Sequence, residues 1–150
     1  MTSSNRAILL VEDNPSDADL TRRAFTKSHI SNPLVVVEDG QEALDYLRCE
    51  GAYGERSITE TPALVLLDLK LPKVPGLEVL RLIRADTRIR RIPVVILTSS
   101  KEEDDIGAGY DLGVNSYVRK PVDFKEFQTV IEHLGLYWLI LNESHPPVTL

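Results

Sequence analysis

The stretch Ala63-Leu64-Val65-Leu66-Leu67-Asp68 decides the architecture. Five apolar residues without polar alternation read as a strand covered on both faces, the habit of parallel sheets, and the run delivers Asp68 to its C-terminal edge. Three other short runs end in the same way. Ile8-Leu9-Leu10-Val11 leads into Glu12-Asp13, Val94-Val95-Ile96-Leu97 into Thr98-Ser99, and Ser116-Tyr117-Val118-Arg119 into Lys120-Pro121. Acids, a hydroxyl and an amine therefore stand just past the ends of short strands, the edge where open parallel sheets bind ligands.

Strand and helix alternate five times, which predicts one α/β domain with helices on both faces of a doubly wound, five-stranded parallel sheet. The first helix begins near Asn14-Pro15, a side-chain cap followed by a residue suited to the first helical position, and ends near His29. Leu34 to Val37 form the second strand, Gln41 to Arg48 the second helix, and Gly76 to Ala85 the third. The fourth helix, Glu102 to Leu112, holds Gly107 and Gly109, each costing about 1 kcal/mol relative to alanine, so it should be soft. The fifth starts near the cap Asp123 and places Phe124, Phe127, Val130, Ile131 and Leu134 on one face. Gly135 is read as its end. Residues 49–61 form a longer loop than such folds usually carry, suited to a partner or simply a tolerated insertion.

With 150 residues and 43% hydrophobic content, the chain suffices for one core: residues 1–135 as the domain and 136–150 as an extension. A net charge of -6 opposes a nucleic-acid partner, and Arg81, Arg84, Arg88, Arg90 and Arg91 read as a solvated helix face and turn. The single cysteine, Cys49, precludes an internal disulfide and fits a reducing, cytoplasmic setting. No run is long enough to span a membrane. His29, His133 and His145 fall outside the strand-end constellation.

If the strand ends lie side by side, Glu12, Asp13 and Asp68 form a cluster of carboxylates that repel unless a hard divalent cation sits among them. Mg2+ fits this oxygen set, whereas zinc or copper would want His or Cys. Asp68 could then act as a nucleophile toward a phosphoryl group, with Lys120 balancing charge on the phosphoryl oxygens and Thr98 donating a hydrogen bond to one of them. Two alternatives share parts of this picture. A phosphohydrolase of the haloacid dehalogenase type also forms an aspartyl phosphate, but wants a second acid where Lys70 stands. A flavin-binding flavodoxin-like module wants a Ser/Thr/Gly phosphate loop where Glu12-Asp13-Asn14-Pro15 stand.

Taken together, Glu12-Asp13, Leu66-Leu67-Asp68, Leu71-Pro72 with Gly76, Thr98-Ser99 and Tyr117-Val118-Arg119-Lys120-Pro121 resemble the receiver domains of two-component response regulators over roughly Ala7 to Leu134. The resemblance implies a flavodoxin-like sheet of order 2-1-3-4-5 with five helices. It also implies phosphorylation of Asp68 by a histidine kinase, and Mg2+ held by Asp13, Asp68 and the backbone carbonyl of Lys70. Tyr117 corresponds to the family's switch aromatic, moving with Thr98. Pro75 departs from the pattern, since many receivers carry an acid there. The long loop and Tyr137-Trp138 are similar to the stand-alone regulators that partner cyanobacterial phytochrome kinases. After Gly135 the apolar run Leu136 to Leu141 either folds back over its own core or supplies a subunit interface; with the helical layers complete by Leu134, a homodimer through the C-terminal helix and Tyr137/Trp138 is expected, in a receiver that signals without an attached effector.

Overall fold

A computed structural model describes residues 6–99, 103–121 and 123–146. Glu102, the predicted start of the fourth helix, and the last four residues of the extension lie outside that set. The elements run β1 (Ile8–Val11), α1 (Pro15–Lys27), β2 (Leu34–Val37), α2 (Gly40–Arg48), β3 (Leu64–Leu67), α3 (Gly76–Ala85), β4 (Val94–Thr98), α4 (Glu103–Asp111), β5 (Ser116–Arg119) and α5 (Phe124–Gly135). All strand pairings are parallel, in the order β2-β1-β3-β4-β5.

Alternation along the strands sends neighbouring side chains to opposite faces. Leu9, Val11, Val65, Leu67, Val94 and Ile96 pack with Ala43, Leu44 and Leu47 of α2 and Val79, Leu80 and Ile83 of α3. Ile8, Leu10, Leu64, Leu66, Val95 and Leu97 pack with Ala18, Ala24 and Phe25 of α1 and Phe127, Ile131 and Leu134 of α5. Both faces are thus dry, as the unbroken apolar runs require. The helix starts are fixed by side chains: Asn14 accepts from the N–H groups of Ser16 and Asp17, Asp39 from Glu42, and Asp123 from Lys125.

Two expectations are corrected. Gly135 does not end the last helix: its backbone is helical, at φ -62° and ψ -46°, and the chain continues as a π-helical segment over Leu136–Leu141. A Cβ at Gly135 would lie 2.4 Å from Ile30 Cδ1, so the glycine serves close approach rather than termination. Nor is the arginine cluster uniformly solvated. Arg84 donates to the carbonyls of Gly113, Arg90 and Ile92 and to Asn115 Oδ1, all at 2.8–2.9 Å, tying α3 to the turn before β4 and the turn before β5.

The 49–61 segment is ordered by its own side chains. Arg56 stacks 3.8 Å over the Tyr46 ring and donates to Glu60 O, while Tyr53 donates to Glu42 Oε2 at 2.7 Å. Tyr53 and Ile58 pack onto the core behind α2. Among the described residues no helix is long and apolar enough to cross a membrane.

Candidate functional site

Register brings the predicted residues together. Val11 pairs with Leu67 and Thr98 with Arg119, so Glu12 and Asp68 leave adjacent strands side by side, and Lys120 follows β5 beside the end of β4. The amide of Asp68 donates to Val11 O at 3.1 Å and that of Lys120 to Thr98 O at 2.7 Å, carrying the ladder one residue past the strands.

Asp68 is the hub of the edge. Its Oδ1 accepts from Thr98 Oγ1 at 2.8 Å and from the Leu69 amide at 2.7 Å, and its Oδ2 accepts from Lys120 Nζ at 3.1 Å. Lys120 also binds Glu12 Oε1 and Asp17 Oδ2, the latter at 3.2 Å. The side chains of Lys120, Glu12 and Asp68 are only 12%, 2% and 12% exposed, so these are contacts in a poorly screened medium. Burial pushes the Glu12 carboxyl above the ordinary range, and Lys120 only partly offsets that. Burial acts the same way on Asp68, but there Lys120 and the Thr98 hydroxyl outweigh it and hold the carboxyl low. Lys120 also loses hydration, yet Glu12 and Asp68 raise it further into its charged form.

Carboxylate oxygens of Glu12, Asp13 and Asp68 all lie within 4.8 Å of one another. An all-oxygen set of three acids, with Asp13 exposed toward solvent, suits a hard divalent ion that keeps part of its water. Lys70 is exposed two residues past Asp68 and directs its amide at Asp68 Oδ1 over 3.4 Å.

Thr98 is fully buried, and its hydroxyl donates to Asp68. Tyr117 is half-buried and packs on the α2–α3 side of the core. Gly109 does more than soften α4. A Cβ there would stand 3.1 Å from Ile96 Cδ1 and 3.5 Å from Tyr117 Cδ2, while Gly107 faces open space. Asp17 was not legible as part of the site, since an acid in a helix's first turn normally reads as complementing the dipole. The signal available was its place one turn beyond the Glu12-Asp13 strand end.

This arrangement defines a class of protein. The chain belongs to the response regulator receiver domain family, whose model matches residues 8–132. It is a receiver-domain response regulator, a phosphoacceptor of two-component signalling. It is 46% identical to "Probable methanogenesis regulatory protein FilR2" of Methanothrix harundinacea over 140 residues, covering 93% of this chain and 88% of that protein. It is 39% identical to the response regulator Rcp1 of Synechocystis sp., covering 89% of each. The Mn2+-bound crystal structure of Rcp1 matches with a TM-score of 0.85, at 37% identity over 93% of this chain and 99% of that one. The phosphorylated cyanobacterial phytochrome response regulator RcpA matches with a TM-score of 0.87, at 41% identity over 93% and 98%. Receiver membership displaces both the phosphohydrolase and the flavodoxin-like alternatives.

Proposed function

We propose that Asp68 is the phosphoacceptor and that its donor is the phosphohistidine of a phytochrome-type histidine kinase. The observation that carries the reading is the focus of Thr98, Lys120 and the acidic cluster on one carboxylate. An oxygen of Asp68 forms the new P–O bond as the N–P bond to the kinase imidazole breaks, and the released imidazole takes up a proton. Lys120 moves its ammonium from Asp68 to a phosphoryl oxygen, and the Thr98 hydroxyl does the same with its hydrogen bond. Glu12, Asp13, Asp68 and the Lys70 carbonyl would hold Mg2+, which supplies positive charge against the carboxylates and the phosphoryl oxygens. The phytochrome assignment is supported by the likeness to Rcp1 and RcpA.

Signal output follows from the contacts of Thr98 and Tyr117. When Thr98 turns from Asp68 to the phosphoryl group, the packing beneath Tyr117 and α4 changes, and a surface patch changes with it. Residues 136–150 act as an extension to the domain of residues 1–135 and form a homodimer interface around Tyr137 and Trp138.

Acetyl phosphate with Mg2+, followed by intact mass, tests the acceptor. A phosphate-sized gain in the wild type that is absent in Asp68→Asn is the expected result. No gain in either, with no response to beryllium fluoride and Mg2+, would remove the reading. Light-dependent phosphotransfer from a phytochrome kinase tests the donor.

A further inference from the structure

The start of α2 is wedged under the connection between β3 and α3. Gly40 is buried, and a Cβ built on it would come 2.0 Å from the carbonyl oxygen of Val74 and 2.8 Å from Val74 Cβ. The nearer atom is backbone, so any side chain at this position must push the connection away. The Gly40 amide donates to Pro72 O at 3.3 Å, and neighbouring Asp39 pairs with Lys73 Nζ at 3.4 Å.

The segment held in this way is strained. The Val74 amide closes onto Pro72 O at 2.8 Å across Lys73, whose φ is +66°. A three-residue turn with a positive central φ is rare, and costly for a residue with a side chain. Strain of this kind persists where the surroundings over-determine it, and here they are Asp39 and Gly40. The far end of the connection is equally pinned. The Gly76 amide donates to Leu69 O at 3.0 Å, and a Cβ there would meet Asp68 O at 2.3 Å. With residues 68–69 clamped by Gly76, and residues 72–74 clamped by α2, a push at Val74 is passed to Lys70 and Leu71.

We propose that Gly40 and Lys73 are positioning residues for the divalent-cation site: the N-terminus of α2 holds the Lys73 turn, and the turn sets where Lys70 presents its backbone carbonyl. This rests on the reading of that carbonyl as a metal ligand. Neither residue touches the ion, and both act through the backbone of the connection.

The test is Mn2+ titration, followed by the electron paramagnetic resonance of the free ion, with wild type, Gly40→Ala, Lys73→Pro and Lys73→Gly. Gly40→Ala introduces the clash. Lys73→Pro forbids the positive φ at an exposed turn, and so serves if Gly40→Ala fails to fold. Both should weaken binding roughly tenfold or more, the scale seen when outer-shell support is lost. Lys73→Gly accepts the turn and gives up only the exposed pair with Asp39, so it should lose less affinity than Lys73→Pro. With acetyl phosphate, the Mg2+ concentration giving half-maximal phosphorylation should rise while the rate at saturating Mg2+ is kept, a split that a merely less stable fold would not produce. Folded Gly40→Ala or Lys73→Pro with wild-type affinity overturns the proposal. So does Lys73→Gly losing as much as Lys73→Pro. A wild type that binds no Mn2+ overturns the metal reading itself, and this proposal with it.

Discussion

Lys120 Nζ lies 3.1 Å from Asp68 Oδ2 while binding Glu12 and Asp17 as well, so one ammonium serves three carboxylates. Removing it leaves two of them buried without a counter-charge, a change that typically costs about 3–5 kcal/mol when a buried pair is broken. Asp17 is 40% exposed and adds little to that sum. Lys120→Met should lower stability in urea unfolding by about 3 kcal/mol, and Mg2+ should restore more of it than it adds to the wild type, because the ion would replace the missing charge. Equal Mg2+ effects in the two proteins would count against the shared-charge account.

The two glycines of α4 should separate. Gly107 has open space around its Cβ position, so Gly107→Ala should add up to about 1 kcal/mol of stability and little else. At Gly109 the same methyl meets Ile96 Cδ1 at 3.1 Å and Tyr117 Cδ2 at 3.5 Å, so helix propensity is opposed by crowding. Gly109→Ala should gain less stability than Gly107→Ala, and should alter the beryllium fluoride response read at the Tyr117 ring by NMR. Equal stability gains with an unmoved Tyr117 ring would show that Gly109 only softens the helix.

What the sequence made legible is what the chain places by short-range rules. Glu12, Asp13, Asp68, Thr98 and Lys120 stand at the ends of apolar runs, and once those runs are parallel strands the residues must share an edge. Caps such as Asn14 and Asp123 are legible for the same reason. The roles of Arg84, Gly135 and His145 are not legible in this way, because their partners are distant. Arg84 reaches Gly113, 29 residues on, and His145 meets Arg6 across 139 residues. Local sequence offers an arginine on a helix face only solvent, and a glycine in a helix only a stop. The carbonyls of Gly113, Arg90 and Ile92 around Arg84, and Ile30 packed against Gly135, decide otherwise.

His145 gives the tail a pH-dependent anchor. Its Nδ1–H donates to Pro146 O at 2.8 Å, leaving Nε2 as an acceptor 3.2 Å from Arg6 Nη2 and 3.4 Å from Thr61 Oγ1. Burial, with Arg6 and Arg91 nearby, holds the imidazole below its ordinary value despite that carbonyl contact. A base with a lowered folded value stabilises the folded form fully above its unfolded value, about 6.5, and that contribution fades as pH falls through the folded one. The stability difference between wild type and His145→Ala should therefore be present at neutral to mildly alkaline pH, and should shrink on acidification below about 6.5. A difference that grows on acidification would reverse the assignment of Nε2 as an acceptor.

The apolar segment after α5 is only partly used by its own core. Leu139 is buried, whereas Leu136, Tyr137, Ile140 and Leu141 are 49%, 52%, 73% and 64% exposed. Four large side chains of that kind stand exposed on one and a half turns of helix, as the proposed homodimer would require, and the Tyr137 ring is braced edge-on against Trp138 at 4.9 Å. If a second copy covers them, replacing the two most exposed with charge should separate the copies without touching the core contact of Leu139. Ile140→Glu with Leu141→Glu should convert a dimer into a monomer in light scattering at micromolar concentration, with the unfolding transition of the monomer intact. A wild type that is monomeric at high micromolar concentration, both before and after acetyl phosphate treatment, would overturn the homodimer.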